Sequence, residues 1–190
     1  MIATNDRSYY IGASDTKYVI GNWKTKTFEN WWLEKLGIRK NHFQNKYTLA
    51  GTNYEHKILD FIDSEKKDLQ VIKGRLRVNI DGFTKGKIQE VKTYNYEKGF
   101  NLSKDYINQC QIEMYAFDTT DCEIVAYGLE EKDYDNYFRN IDEKRLSKYQ
   151  IEYDKDFVNI TYLPRYNYLE KCLEKGSFPT EEEYETYRKN

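Results

Sequence analysis

Between residues 71 and 93 the chain takes up a period of two. Leu76, Val78 and Ile80 alternate with the polar Arg77 and Asn79, DGFTKGK supplies turn residues, and IQEVKT resumes the alternation. Successive side chains of a strand point to opposite faces, so this pattern predicts a β-hairpin with one covered face. A register slip would turn the whole apolar set to solvent, so the hairpin is the best-specified part of the chain.

Around the hairpin the spacing is helical. SDTKYVIG predicts a short helix capped by Ser14 and ended by Gly21. Residues 27–36 place Phe28, Trp31 and Trp32 at helical spacing before Gly37. A third helix is expected over about 52–64, with Ile58, Leu59 and Ile62 on one side and Glu55 on that same side. Residues 106–117 return to helical spacing and 123–129 read as a strand. The remainder reads as mostly helical: Phe157, Ile160, Leu163, Tyr166 and Leu169 form an amphipathic pattern despite Pro164, and Gly176 and Pro179 end it before a polar tail. Helices, then a sheet, then helices is the order of an α/β or α+β fold. With 190 residues and no repeat or low-complexity linker, the expectation is a single domain over 1–190, with a core at about 7–130 and a helical C-terminal extension at 131–190.

Composition narrows the function classes. Nineteen tyrosines and nine phenylalanines are too many aromatics for a disordered chain. A net charge of −2 gives no overall basic field, so any contact with DNA must be local. Basic residues outnumber acidic ones over 1–60 and the reverse holds over 130–190, which places a phosphate-facing surface near the N-terminus. Cys110, Cys122 and Cys172 show no zinc or iron–sulfur spacing and are expected to be reduced packing residues. Trp23, Trp31 and Trp32 are likewise expected to pack. His42 and His56 are the only histidines, which leaves a histidine-based hydrolase little to work with, and GFTKGK lacks the spacing of a P-loop. No apolar run approaches the roughly 20 residues of a membrane helix, and the N-terminus lacks a charged start followed by an apolar core; the expectation is a soluble, cytoplasmic protein with no membrane partner.

Chemistry concentrates in IDGFTKGKIQEVK. If IQEVK is a strand, Glu90 and Lys92 share one face while Gln89 and Val91 take the other. Asp81, on the neighbouring strand, could then approach Glu90. Two carboxylates suit Mg²⁺, which takes oxygen ligands and leaves positions for water and phosphate. Phosphodiester hydrolysis needs an activated water and relief of the charge that builds on phosphorus, and such ions supply both. Lys92 could deprotonate the water or act as a point cation, and spacing does not separate these roles. An exposed Glu–Lys salt bridge on a hairpin would give the same spacing.

Three further segments occur in order around this set: RSYYIGASD, with Arg7 and Ser14 seven apart; AGTNYEHKILDFID, containing Glu55; and YINQCQIEMYAF, with Gln109 and Gln111. Together with Asp81, Glu90 and Lys92 they resemble the lambda exonuclease and YqaJ-type viral recombinase nucleases of the PD-(D/E)xK superfamily. Ile80 stands where the name-giving proline would be. The resemblance spans residues 7–129 and implies a restriction-endonuclease-like core, a small central mixed β-sheet flanked by helices. It implies phosphate binding by Arg7 and Ser14, and metal binding by Asp81, Glu90, Glu55 and the Val91 carbonyl. It further implies a catalytic set of Glu55, Asp81, Glu90, Lys92 and Gln111, the second glutamine of its pair, with Gln109 turned about 200° away on an ideal helix. The implied activity is a Mg²⁺-dependent (or Mn²⁺-dependent) 5′-to-3′ exonuclease on DNA duplex ends that makes single-stranded tails for phage recombination. A homo-oligomeric ring trimer, a single-strand annealing partner and a bacterial host cytoplasm follow from the same resemblance. The rival expectations are a structure-specific endonuclease and a noncatalytic interaction protein that keeps the nuclease fold.

Overall fold

The structure, a computed structural model, describes residues 8–39 and 45–189; Arg7 and His42 lie outside the described residues. A 3-10 turn at Ala13–Asp15 leads into α1 (Thr16–Ile20), followed by α2 (Lys26–Lys35) and α3 (Lys46–Phe61). Three strands come next, β1 (Lys66–Lys73), β2 (Leu76–Thr84) and β3 (Lys87–Asn95), then α4 (Lys104–Phe117), β4 (Asp121–Leu129) and β5 (Leu146–Glu152). A π-helical turn at Phe157–Tyr162 enters α5 (Leu163–Lys175), and α6 (Glu181–Lys189) ends the chain. The sheet has the order β1-β2-β3-β4-β5. Only β3 and β4 run parallel, as a strand–helix–strand crossover through α4 requires, and the other neighbours are antiparallel. This is the mixed α/β sheet expected of the chain.

The expected turn tightens to two residues. Thr84 pairs with Lys87, leaving Lys85 and Gly86 at φ 51° and 88°. Positive φ at both positions is the mirror-type turn whose twist matches that of the flanking strands, and glycine carries the second at no steric cost. A third strand, β1, extends the hairpin beyond what its weak alternation suggested.

Helices cover both faces. Ile112, Met114 and Ala116 of α4 pack with Val78, Ile80, Ile88 and Ile124, and with Trp23 of the α1–α2 turn and Trp31 and Trp32 of α2. All three tryptophans are buried, as their packing role requires. On the other face Tyr54, Ile58 and Leu59 of α3 pack on Val91, Val125 and Tyr127. α3 begins six residues before its expected start because the Asn45 side chain accepts hydrogen bonds from the Tyr47 and Thr48 amides. No helix of the described residues is long and apolar enough to cross a membrane.

The C-terminal third differs from the helical extension expected for 131–190. β5 is a strand that pairs with β4 from Asp121↔Glu152 to Tyr127↔Leu146, an edge position whose outward lysine and glutamine hide its alternation. Ile160 is exposed rather than on the apolar face, because the π-turn rotates the pattern before α5 begins. Pro164, which has no N–H to donate, falls where the π-turn passes into α5. The polar tail folds as α6 and buries Tyr184 against Trp23 and Tyr168. These segments are tied to the N-terminal helices: Arg165 donates to the Val19 and Gly21 carbonyls, and the Trp32 indole donates to Ser177.

Candidate active site

The site lies where β2 parts from β3. The antiparallel ladder runs from Thr84↔Lys87 to Gly82↔Gln89 and stops. Where the next rung would form, the Asp81 carboxylate accepts the Val91 amide at 2.8 Å. The side-chain alternation also slips there. Ile80 points into the core under α4, whereas a Cβ on Gly82 would lie 2.6 Å from Leu59 of α3. A hydrogen at position 82 therefore lets α3, and Glu55 with it, close onto the hairpin.

On β3 the expected alternation holds. Gln89 faces away and donates to Glu123, and Val91 packs under α3. Glu90 and Lys92 share the face covered by α4, with Lys92 Nζ 2.6 Å from Glu90 Oε1. Glu90 is buried to 4 % exposure, so this pair is not the solvated surface bridge that spacing alone allowed.

The glutamine expectation is corrected. Gln109 reaches the site: its Nε2 donates to Glu90 Oε1 at 2.6 Å and its Oε1 accepts from Lys92 Nζ at 3.2 Å. Gln111 is turned away, donating to the Glu152 carbonyl and accepting from the Asp154 amide at the end of β5. Two helical positions differ by about 200°, so only one of the pair can face β3. Glu113, one turn beyond Gln109, accepts from the same Nε2 at 2.7 Å and fixes which one does. Sequence reasoning missed Glu113 entirely, because a helical glutamate ordinarily reads as a solvated residue.

The electrostatics are those of excess negative charge. Burial pushes the Asp81 carboxyl up to about 8, with the charges of Glu90 and Glu55 adding to it. Glu55, half-buried on α3, is raised by burial and then by Glu90. Glu113, fully buried, is raised well above the usual carboxylate range by burial and then by Glu90. Burial pulls the Lys92 ammonium down, but the charge and hydrogen bond of Glu90 outweigh it and the net direction is up. Four carboxyl groups thus face a single ammonium. Such a set has the hard oxygen donors and the deficit of positive charge that suit a divalent cation.

Ser14 is exposed in the middle of the 3-10 turn that packs on α4 and does not cap it. The cap interaction comes from Asp15, whose carboxylate accepts the Gly12 amide at 2.9 Å and pairs with Lys35.

No family model matches the chain, and no curated protein does. Solved structures do. The alkaline exonuclease LHK-Exo of Laribacter hongkongensis superposes with a TM-score of 0.67 at 18% identity, over 96% of this chain and 93% of that one. A phage-related exonuclease of Haemophilus somnus 129PT gives 0.66 at 16% identity, over 87% and 94%. LHK-Exo in complex with dAMP gives 0.61 at 19% identity, over 96% and 93%. Nearly the whole of this chain therefore follows the fold of the alkaline and phage-related exonucleases.

Proposed function

We propose that the protein is a Mg²⁺-dependent deoxyribonuclease that hydrolyses phosphodiesters, acting as a phage-type 5′-to-3′ exonuclease on duplex ends. The observation that carries this reading is the convergence of Asp81, Glu90 and Lys92 at the β2–β3 fork, in a fold shared with exonucleases.

Asp81, Glu90, Glu55 and the Val91 carbonyl would hold Mg²⁺, with Mn²⁺ as a substitute. When bound, the ion supplies a nucleophilic water at neutral pH and offsets charge on the phosphate. Asp81 is oriented for this by the Val91 amide, which fixes one carboxylate oxygen. Lys92 is held as an ammonium by Glu90 and Gln109, a state suited to stabilising charge on the phosphate. Gln109 bridges Glu90 and Glu113 and so fixes the Glu90 carboxylate beside Lys92. Arg7 and Ser14 are assigned to the phosphate of the DNA end, and a ring-shaped homotrimer with an annealing partner would explain processive action.

The test is digestion of linear 5′-phosphorylated duplex and of closed circular DNA, with Mg²⁺ and with chelator, by wild type and Lys92→Ala. Mg²⁺-dependent loss of linear DNA alone, absent in the variant, is the expected result. Cutting of circles would replace the exonuclease reading with an endonuclease, and no cutting of either would refute the enzyme reading.

A further inference from the structure

Directly behind the Gln109–Glu90–Lys92 contacts lies a second cluster that the proposed hydrolysis does not use. Cys110 and Glu113 come from α4 and Cys122 from β4, and one donor atom of each lies within 4.8 Å of the other two. All three residues are at 0 % exposure. The two thiols are close enough to hydrogen-bond to each other. Glu113 is half committed: Oε1 accepts from Gln109, while Oε2 is buried with no hydrogen-bond partner among the described residues. A buried carboxyl oxygen left in that state carries a desolvation cost that nothing on the protein side offsets.

We propose that Cys110, Cys122 and Glu113 Oε2 form a zinc site distinct from the Mg²⁺ site at the β2–β3 fork. Two sulfurs and one carboxylate oxygen match the ligand types of Zn²⁺, whereas Mg²⁺ takes oxygen alone. Three protein donors leave the fourth tetrahedral position to a small ligand such as water. Binding forms two Zn–S bonds and one Zn–O bond; any proton on the thiols or the carboxyl passes to solvent, and no oxidation state changes. Spacings of three and nine residues across a helix and a strand match no linear zinc motif, which is why the sequence does not display the site. The site has a consequence for the fork. A Glu113 fixed through Oε2 would hold Gln109 through Oε1, making the metal a positioning element for Glu90 and Lys92.

The experiment uses the full chain purified without a metal-affinity tag. Zinc is measured by elemental analysis after dialysis against Mg²⁺ buffer, and protein stripped by unfolding in chelator is refolded with Co²⁺ alone. The expected result is stoichiometric zinc and, with Co²⁺, the intense thiolate-to-metal charge-transfer absorption of sulfur ligation. Cys122→Ser should lose most of that band. Glu113→Gln should weaken binding by more than about tenfold, the loss that even an outer partner of a ligand produces. Asp81→Asn should keep its zinc, so failure of the nuclease assignment and failure of this one are separable. Wild-type protein that holds no zinc and gives no charge-transfer band with Co²⁺ overturns the proposal, as does a Cys110–Cys122 disulfide in the purified chain or a band unchanged in Cys122→Ser.

Discussion

Asp81→Asn should make the protein more stable while destroying its proposed activity, and the gain should depend on pH. An unfolded aspartate ionises near its ordinary value of 3.8, while the folded protein holds the proton up to about 8. Between these values the folded state binds more protons than the unfolded one, so stability falls as pH rises through the window, and the whole cost is in force above it. A displacement of about four units corresponds to a ceiling of about 6 kcal/mol. Relaxation of the site and screening by buffer ions reduce this to an expected ~2–3 kcal/mol. Asparagine keeps an oxygen for the Val91 amide, so the β2–β3 fork should survive the change. In chelator at pH 9, thermal unfolding followed by circular dichroism should show Asp81→Asn melting about 4–10 °C above wild type. At pH 5 the gap should shrink towards zero. Mg²⁺ should raise the wild-type melting temperature and leave the variant nearly unmoved, since a ligand that binds only the folded state stabilises it. If the metal-free variant at pH 9 is no more stable than wild type, the account of Asp81 as a buried, charge-crowded carboxylate is wrong.

The two glutamines of α4 should separate function from structure. Gln109→Ala should lower the cleavage rate at saturating DNA and also cost about 1–3 kcal/mol of stability, because the buried Glu113 loses its donor, whereas Gln111→Ala should lose about 1–2 kcal/mol with its two ties to the end of β5 and leave the cleavage rate unchanged. Gly82→Val should destabilise by about 1–3 kcal/mol, read in urea, because its Cβ meets Leu59 and Ser64. Asp133→Ala should cost about 1.5–3 kcal/mol by removing the nearest partner of the buried Arg145, 2.5 Å away, and leaving it the Gly128 carbonyl and longer contacts to Glu130 and Asp142. Burial pushes the Asp133 carboxyl up, but the Glu130 amide and Arg145 outweigh it and hold it below its ordinary value. Its stabilising share is therefore present above the ordinary carboxylate range and lost as pH falls through the depressed value, so an acid titration of the variant should show a shallower loss than wild type.

How much of this was legible depends on which residues carried the signal. Leu76, Val78 and Ile80 announced β2 because a strand with one covered face has no other way to pattern itself. β5 escaped notice because LSKYQIE lies at a sheet edge, where lysine and glutamine protect the open ladder and dilute the alternation. The tail EEEYETYRK read only as polar because α6 buries one large side chain, Tyr184, although its acidic first turn is what a helix N-terminus favours. Periodicity sees faces, and an element with almost no buried face leaves little to see.

The site shows a different limit. Alternation placed Glu90 and Lys92 on one face of β3 correctly, since a strand offers two faces and Val91 had to take the other. α4 offers no such economy. Cys110, Ile112, Met114 and Ala116 are all buried, so apolar positions surround the helix and spacing alone does not say whether Gln109 or Gln111 turns toward β3. What decides is a residue one turn on. Glu113 shares the Gln109 face, and its carboxyl can be buried only where a donor meets it; Gln109 provides one, between Glu113 and Glu90. A buried acid therefore selects the glutamine that faces β3, and its second oxygen, unpaired in a carboxyl that neighbours two thiols, marks a demand for positive charge that Lys92, already engaged by Glu90, does not meet.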